Sequence, residues 1–99
     1  MTIVKTQDGD AVTLQIEGRV DTNTSPELQK AILDAFQTGK SLTLDLAQVV
    51  YVSSAGLRAL LIGQKTANSK GASMRLTNVA PTVRGVLDSV GFSKILTLA

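Results

Sequence analysis

Val12, Leu14 and Ile16 alternate with Thr13, Gln15 and Glu17, the period-two pattern of a strand with one buried face. Asp8-Gly9-Asp10 ahead of it signals a turn, and Ile3-Val4 supplies a short partner strand, so the two predict an antiparallel hairpin. A polar stretch from Arg19 then ends in Ser25-Pro26-Glu27, which reads as a helix start with Ser25 as N-cap and Pro26 at the first helical position. Leu28, Ala31, Ile32, Ala35 and Phe36 recur at helical spacing until Gly39 stops them. Leu42, Leu44 and Leu46 alternate around Thr43 and Asp45, and Val49 to Val52 extend the apolar character of this central strand before a loop. From Ala55 an unusually apolar helix begins, turning polar at Gln64 and ending near Gly71.

A third strand core, Met74 to Thr77, precedes Ala80-Pro81, which opens a helix carrying Val83, Val86, Leu87 and Val90 at i, i+3, i+4 and i+7. Gly91 ends that helix, and Ile95 to Leu98 add a final edge strand. The order is β-β-α-β-α-β-α-β. Such alternation predicts an α/β fold, a mixed sheet covered by helices, with right-handed crossovers between parallel neighbours. Nothing repeats and no linker divides the chain, so residues 1–99 read as one domain.

Composition narrows the chemistry. The chain has no Cys and no His, which removes disulfides, thiolate nucleophiles, the commonest general base and the usual zinc ligands. Neither a metal nor a cofactor is expected, and catalysis is disfavoured. Phe36, Tyr51 and Phe92 are the only aromatics, too few for stacking on bases. The net charge is +2, unevenly spread: residues 1–52 carry seven acids against four bases, whereas residues 53–99 carry Asp88 against six bases. Those bases stand singly rather than in a run, which argues against direct nucleic-acid binding. No apolar segment follows the N-terminal charge, and the longest apolar run, Leu57 to Ile62, is interrupted by Arg58 and falls far short of the ~20 residues of a membrane span. A cytoplasmic monomer without membrane contact is the expectation.

The most informative stretch is Tyr51-Val52-Ser53-Ser54-Ala55-Gly56-Leu57. It sets two hydroxyls between the carboxyl end of a buried strand and the start of an apolar helix. One of them serves as N-cap, contributing about 1 kcal/mol. A phosphate on the other is tolerated at a helix start, where free N–H groups and the positive dipole end favour negative charge. Phosphorylation there adds about −2 of charge without unfolding the helix, so its effect falls on a docked partner. Asp21 reads as a turn carboxylate that faces this loop across the sheet's edge, and Arg58 either pairs with Asp21 or a phosphate or stays solvated. Asp45 reads as a surface or loop-capping residue.

Several motifs together resemble the STAS-domain family, and within it the bacterial anti-sigma factor antagonists. They are Glu17-Gly18-Arg19-Val20-Asp21 followed by Ser25-Pro26-Glu27-Leu28, then Leu44-Asp45-Leu46 with Tyr51 through Arg58, then Gly71 to Leu76 and Val83 through Gly91-Phe92. The resemblance implies a phosphorylation switch. The unmodified protein binds an anti-sigma factor that is also a serine kinase and so frees a sigma factor. Phosphorylation of a loop serine ends the inhibition, and a metal-dependent, PP2C-type phosphatase restores it. Ser54 matches the acceptor, with Ser53 as the alternative, because Ser53 stands where the family usually has Asp. Asp21 matches an acidic residue near that serine. The implied docking face comprises Asp21, Thr22, Asn23 and Thr24 with Ser53, Ser54, Gly56, Leu57 and Arg58.

Other readings lead to different expectations. A constitutive STAS subunit of a larger assembly, for example one for lipid transport, uses the fold without phosphorylation, and Ser54→Ala then does nothing beyond a helix cap. An enzyme needs Ser53 or Ser54 activated by Asp21 or Asp45, and no His or Lys is placed by sequence to help. Nucleotide sensing at the helix start lacks a Gly-rich phosphate loop.

Overall fold

Alternating Val, Leu and Ile on each strand leave one apolar face to cover, and three helices cover it in the computed structural model of residues 1–99. The chain runs through β1 (Thr2–Asp8), β2 (Ala11–Val20), α1 (Ser25–Thr38), β3 (Ser41–Val52), α2 (Ser54–Lys70), β4 (Ser73–Thr77), α3 (Pro81–Ser89), a single 3-10 turn at Phe92–Lys94 and β5 (Thr97–Leu98). The strands lie side by side in sequence order. β1 and β2 form the expected antiparallel hairpin, and each later strand joins in parallel through a helix.

Each parallel crossover steps the same way along the sheet. With right-handed connections, all three helices therefore land on one face. Val12, Leu14 and Ile16, Leu42, Leu44 and Leu46, and Met74 and Leu76 are buried beneath them with Leu28, Ile32 and Phe36 of α1 and Leu57 and Leu60 of α2. The opposite face carries Thr13, Gln15, Thr43, Asp45 and Arg75 and meets solvent; there Arg75 Nε donates to Thr43 Oγ1 at 3.1 Å. The sheet is thus covered by helices on one side only. No helix is long and apolar enough to cross a membrane.

β3 is longer than its alternation suggests, because two bulges reset its phase. Gln15 stands opposite Asp45 but Glu17 opposite Gln48, and Gly18 stands opposite Val49 but Arg19 opposite Tyr51. Each step inserts one extra residue into β3. The buried positions therefore run Leu42, Leu44, Leu46, then Val49, then Val52. Asp45 ties the first irregularity down: its Oδ1 accepts from the Ala47 N–H at 3.0 Å and from Asn78 Nδ2 at 3.1 Å. Asp45, read as a surface or loop-capping residue, thus sits within β3 and braces its bulge against Asn78.

Three local expectations need correction. Thr24, not Ser25, is the N-cap of α1; Ser25 is the first helical residue and is buried, and Pro26 follows it. The last edge strand is Thr97–Leu98 rather than Ile95 to Leu98, because a 3-10 turn at Phe92–Lys94 leaves Ile95 exposed, whereas β3 runs through Val52 as expected with only Ser53 before α2. In α3, Val83 and Leu87 are buried, but Val86, and Val90 just past the helix end, stay exposed. A one-sided sheet makes a sharp prediction for adjacent positions of β3. Leu44→Ala should cost about 2–5 kcal/mol, whereas Thr43→Ala, on the wet face, should cost under about 1 kcal/mol, both read by urea denaturation.

Candidate functional site

β2 and β3 end together, with Val20 paired to Val52. The Ser53 N–H extends the ladder by donating to the Val20 carbonyl at 2.8 Å. The chain turns there into α2, and the helix start is pressed onto the strand ends. A Cβ on Gly56 would lie 2.7 Å from Val20 Cγ1, 2.9 Å from Val52 Cγ1 and 3.1 Å from the Val20 carbonyl oxygen. Only glycine permits this approach. Gly56 and Leu57, expected in the docking rim, are accordingly buried; they seat the site from below and offer nothing to a partner.

The two serines divide the work. Ser53 is the N-cap in extended conformation, and its Oγ accepts from the Gly56 N–H at 3.3 Å. Ser54 begins the helix, takes no part in the cap and is exposed. Gly71, in the left-handed conformation that glycine adopts without strain, closes the other end of α2.

Beside this corner runs the turn after β2. Asp21 Oδ1 accepts from the backbone N–H groups of Asn23 at 2.9 Å and Thr24 at 3.1 Å. The Thr24 hydroxyl accepts from the Asp21 N–H at 2.8 Å and shares its own proton between the Arg19 carbonyl at 2.9 Å and Asp21 Oδ1 at 3.2 Å. The carboxylate is therefore engaged by its own turn. The Thr24 N–H above all holds the Asp21 carboxyl below its ordinary range; partial burial opposes this, and the Asn23 N–H, the Thr24 hydroxyl and the Arg19 charge assist. Thr22 and Asn23 are exposed at the tip. The turn-carboxylate reading of Asp21 agrees with these bonds, and Asp three residues before Thr is the turn signature behind it.

Arg58 does not pair with Asp21. It is exposed, and neither ion pair of the chain, Lys30–Asp34 and Arg84–Asp88, includes it. It lines a groove of about 500 Å³ between α1 and α2, together with Ser25, Lys30, Asp34 and Ala55. On the other side of the corner lies an apolar patch that sequence reasoning missed. Val50 is 68% exposed, Tyr51 42%, Val86 37% and Val90 50%. Val50, Tyr51 and Val86 line one hollow of about 100 Å³, and the Arg19 guanidinium lies 4.4 Å from the Tyr51 ring centre, a cation–π contact across neighbouring strands. The signal available was an apolar stripe in α3 wider than one sheet contact needs.

A strand-end corner with a capped helix, over a five-stranded mixed sheet, defines the class, and comparison with known proteins agrees. The family described as "Mlab, STAS domain" matches residues 3–97, and the chain belongs to the STAS-domain family. It is 27% identical to a STAS-domain containing protein of Pseudomonas aeruginosa (strain UCBPP-PA14) over 99 residues, all of this chain and 98% of that one. It is 25% identical to the anti-sigma-B factor antagonist of Bacillus subtilis (strain 168) over 96 residues, 97% of this chain and 87% of that one. The solved structure of the anti-sigma factor antagonist SpoIIAA in its unphosphorylated form superposes with a TM-score of 0.78 at 17% identity, over 99% of this chain and 87% of that one. The phosphorylated form of this Bacillus protein gives 0.77 at 18%, over 99% and 91%. These two likenesses show the shared fold.

Two outcomes test the corner. Gly56→Ala should destabilise by about 1–3 kcal/mol through overpacking, while Gly85→Ala, with no atom near its Cβ in α3, should stabilise by up to about 1 kcal/mol. Thermal and urea unfolding of the two variants read this difference. Because the folded state lowers the Asp21 pKa, its contribution is present at neutral pH and is lost as pH falls through the folded value. The stability advantage of the native chain over Asp21→Asn should hold down to about pH 5 and narrow below about pH 4, as urea midpoints across pH will show.

Proposed function

We propose that this chain is a partner-switching antagonist. Unphosphorylated, it binds an anti-sigma factor that is also a serine kinase; phosphorylation of Ser54 ends that binding, and a PP2C-type phosphatase restores it. The observation that carries the reading is the division between the two serines. Ser53 Oγ is occupied as a helix cap, which leaves the exposed Ser54 hydroxyl as the group a kinase reaches. The relative from Bacillus subtilis named as an anti-sigma-B factor antagonist, and the phosphorylated form of SpoIIAA, support the assignment.

The docking face consists of the Asp21 to Thr24 turn, the Ser53–Ser54 corner and Arg58. Phosphate on Ser54 leaves the fold intact, since negative charge at a helix start is favourable by about 0.3–1 kcal/mol. What changes is the surface: a dianion must be desolvated against the partner, and the complex dissociates. A second reading, a constitutive subunit of a larger assembly, draws support from the exposed apolar patch of Val50, Tyr51, Val86 and Val90, which a lasting partner would cover.

Intact mass and phosphosite mapping of the protein from its native host, beside Ser54→Ala, separate the two. The switch predicts a single phosphate on Ser54 that vanishes in the variant. It further predicts that Ser54→Asp binds the kinase at least about tenfold more weakly, equivalent to about 1.4 kcal/mol. A phosphate on Ser53 moves the site. No phosphate under several growth conditions supports the constitutive subunit.

A further inference from the structure

We infer that Arg58 is the internal counter-ion of phosphorylated Ser54, an arm that leaves the α1/α2 groove to clasp the phosphate. The inference rests on Ser54 being the acceptor, as proposed above. Ser54 and Arg58 stand four residues apart on α2, on one face of the helix with Cβ atoms about 5–6 Å apart. Long helical side chains lean toward the helix N-terminus, so Arg58 is directed back over the first turn, where Ser54 stands. The order is the favourable one, with the anion N-terminal to the cation. A phosphate presents three acceptor oxygens at about −1.5 to −2 charge, and a guanidinium fork meets two of them at once.

The surroundings leave Arg58 without a competitor. The first turn of α2 holds no acid. In the groove, Asp34 is bonded to Lys30 at 2.9 Å. Asp21 Oδ1 is held by the Asn23 and Thr24 N–H groups. Arg58 is thus the one unpaired charge lining the groove. Capture by the phosphate would do two things together: place negative charge at the groove's mouth and withdraw the donor fork that a partner meets in the unmodified chain. Phosphorylation then alters two features of the docking face through one bond.

The test uses the full chain with phosphoserine installed at position 54 during translation, as Arg58, R58K and R58Q forms. The second ionisation of the phosphate is followed by phosphorus NMR against pH. A paired Arg58 stabilises the dianion, so the phosphate pKa should lie lower in the Arg58 chain than in R58Q by about 0.3 units or more, with R58K between them. The gap should shrink in high salt. Identical titrations of the Arg58 and R58Q chains overturn the inference. Because the phosphate is built in, this result is independent of the host: a chain that carries no phosphate in its host removes the switch, whereas identical titrations remove only the Arg58 arm.

Discussion

Everything at this corner depends on how closely α2 approaches the paired ends of β2 and β3. Gly56 has no side chain, so the first turn of the helix rests on Val20 and Val52 at distances that no other residue allows. That seating holds the Ser53 N–H on the Val20 carbonyl and leaves Ser53 Oγ facing the Gly56 N–H. With Ser53 committed inward, Ser54 is the exposed hydroxyl. The division between a structural serine and an available one follows from packing beneath them rather than from the serines themselves.

The two bulges of β3 serve the same end. They carry the strand out of simple alternation, so Val49 and Val52 both reach the core while Val50 and Tyr51 face outward. The corner is thereby flanked by apolar surface on its α3 side and by the polar α1/α2 groove on the other. Asp21, across from it, keeps its loop rigid with its own carboxylate. If this corner is the docking face, as proposed, its shape would change little on phosphorylation. In the proposed switch the charge alone would change, and opposing one buried contact at an interface, which costs about 2–5 kcal/mol, is enough to exchange partners.

Much of this was legible in the residues, for identifiable reasons. Strand alternation in Val12 to Ile16 and Leu42 to Leu46, and helical spacing in Leu28 to Phe36, are local signals, and the elements follow them. The family emerged from the order of motifs, and the STAS-domain model matches residues 3–97. What escaped was set by tertiary contact. The burial of Gly56 and Leu57 depends on a helix pressed onto two strands, which no local pattern reports. The Val86 and Val90 stripe looked like core because sequence cannot tell how narrow the helix–sheet contact is. The N-cap of α1 slipped by one residue because Asp21 and Thr24 bond to each other across the turn.

The proposed switch turns on one step: phosphate on Ser54 ends a docking that the unmodified chain allows. The most direct measurement isolates the native partner on the unmodified protein. The complex is then challenged with unmodified chain or with chain carrying phosphoserine at 54. Displacement by the unmodified chain alone is the result this account predicts. Equal displacement by both forms would contradict it.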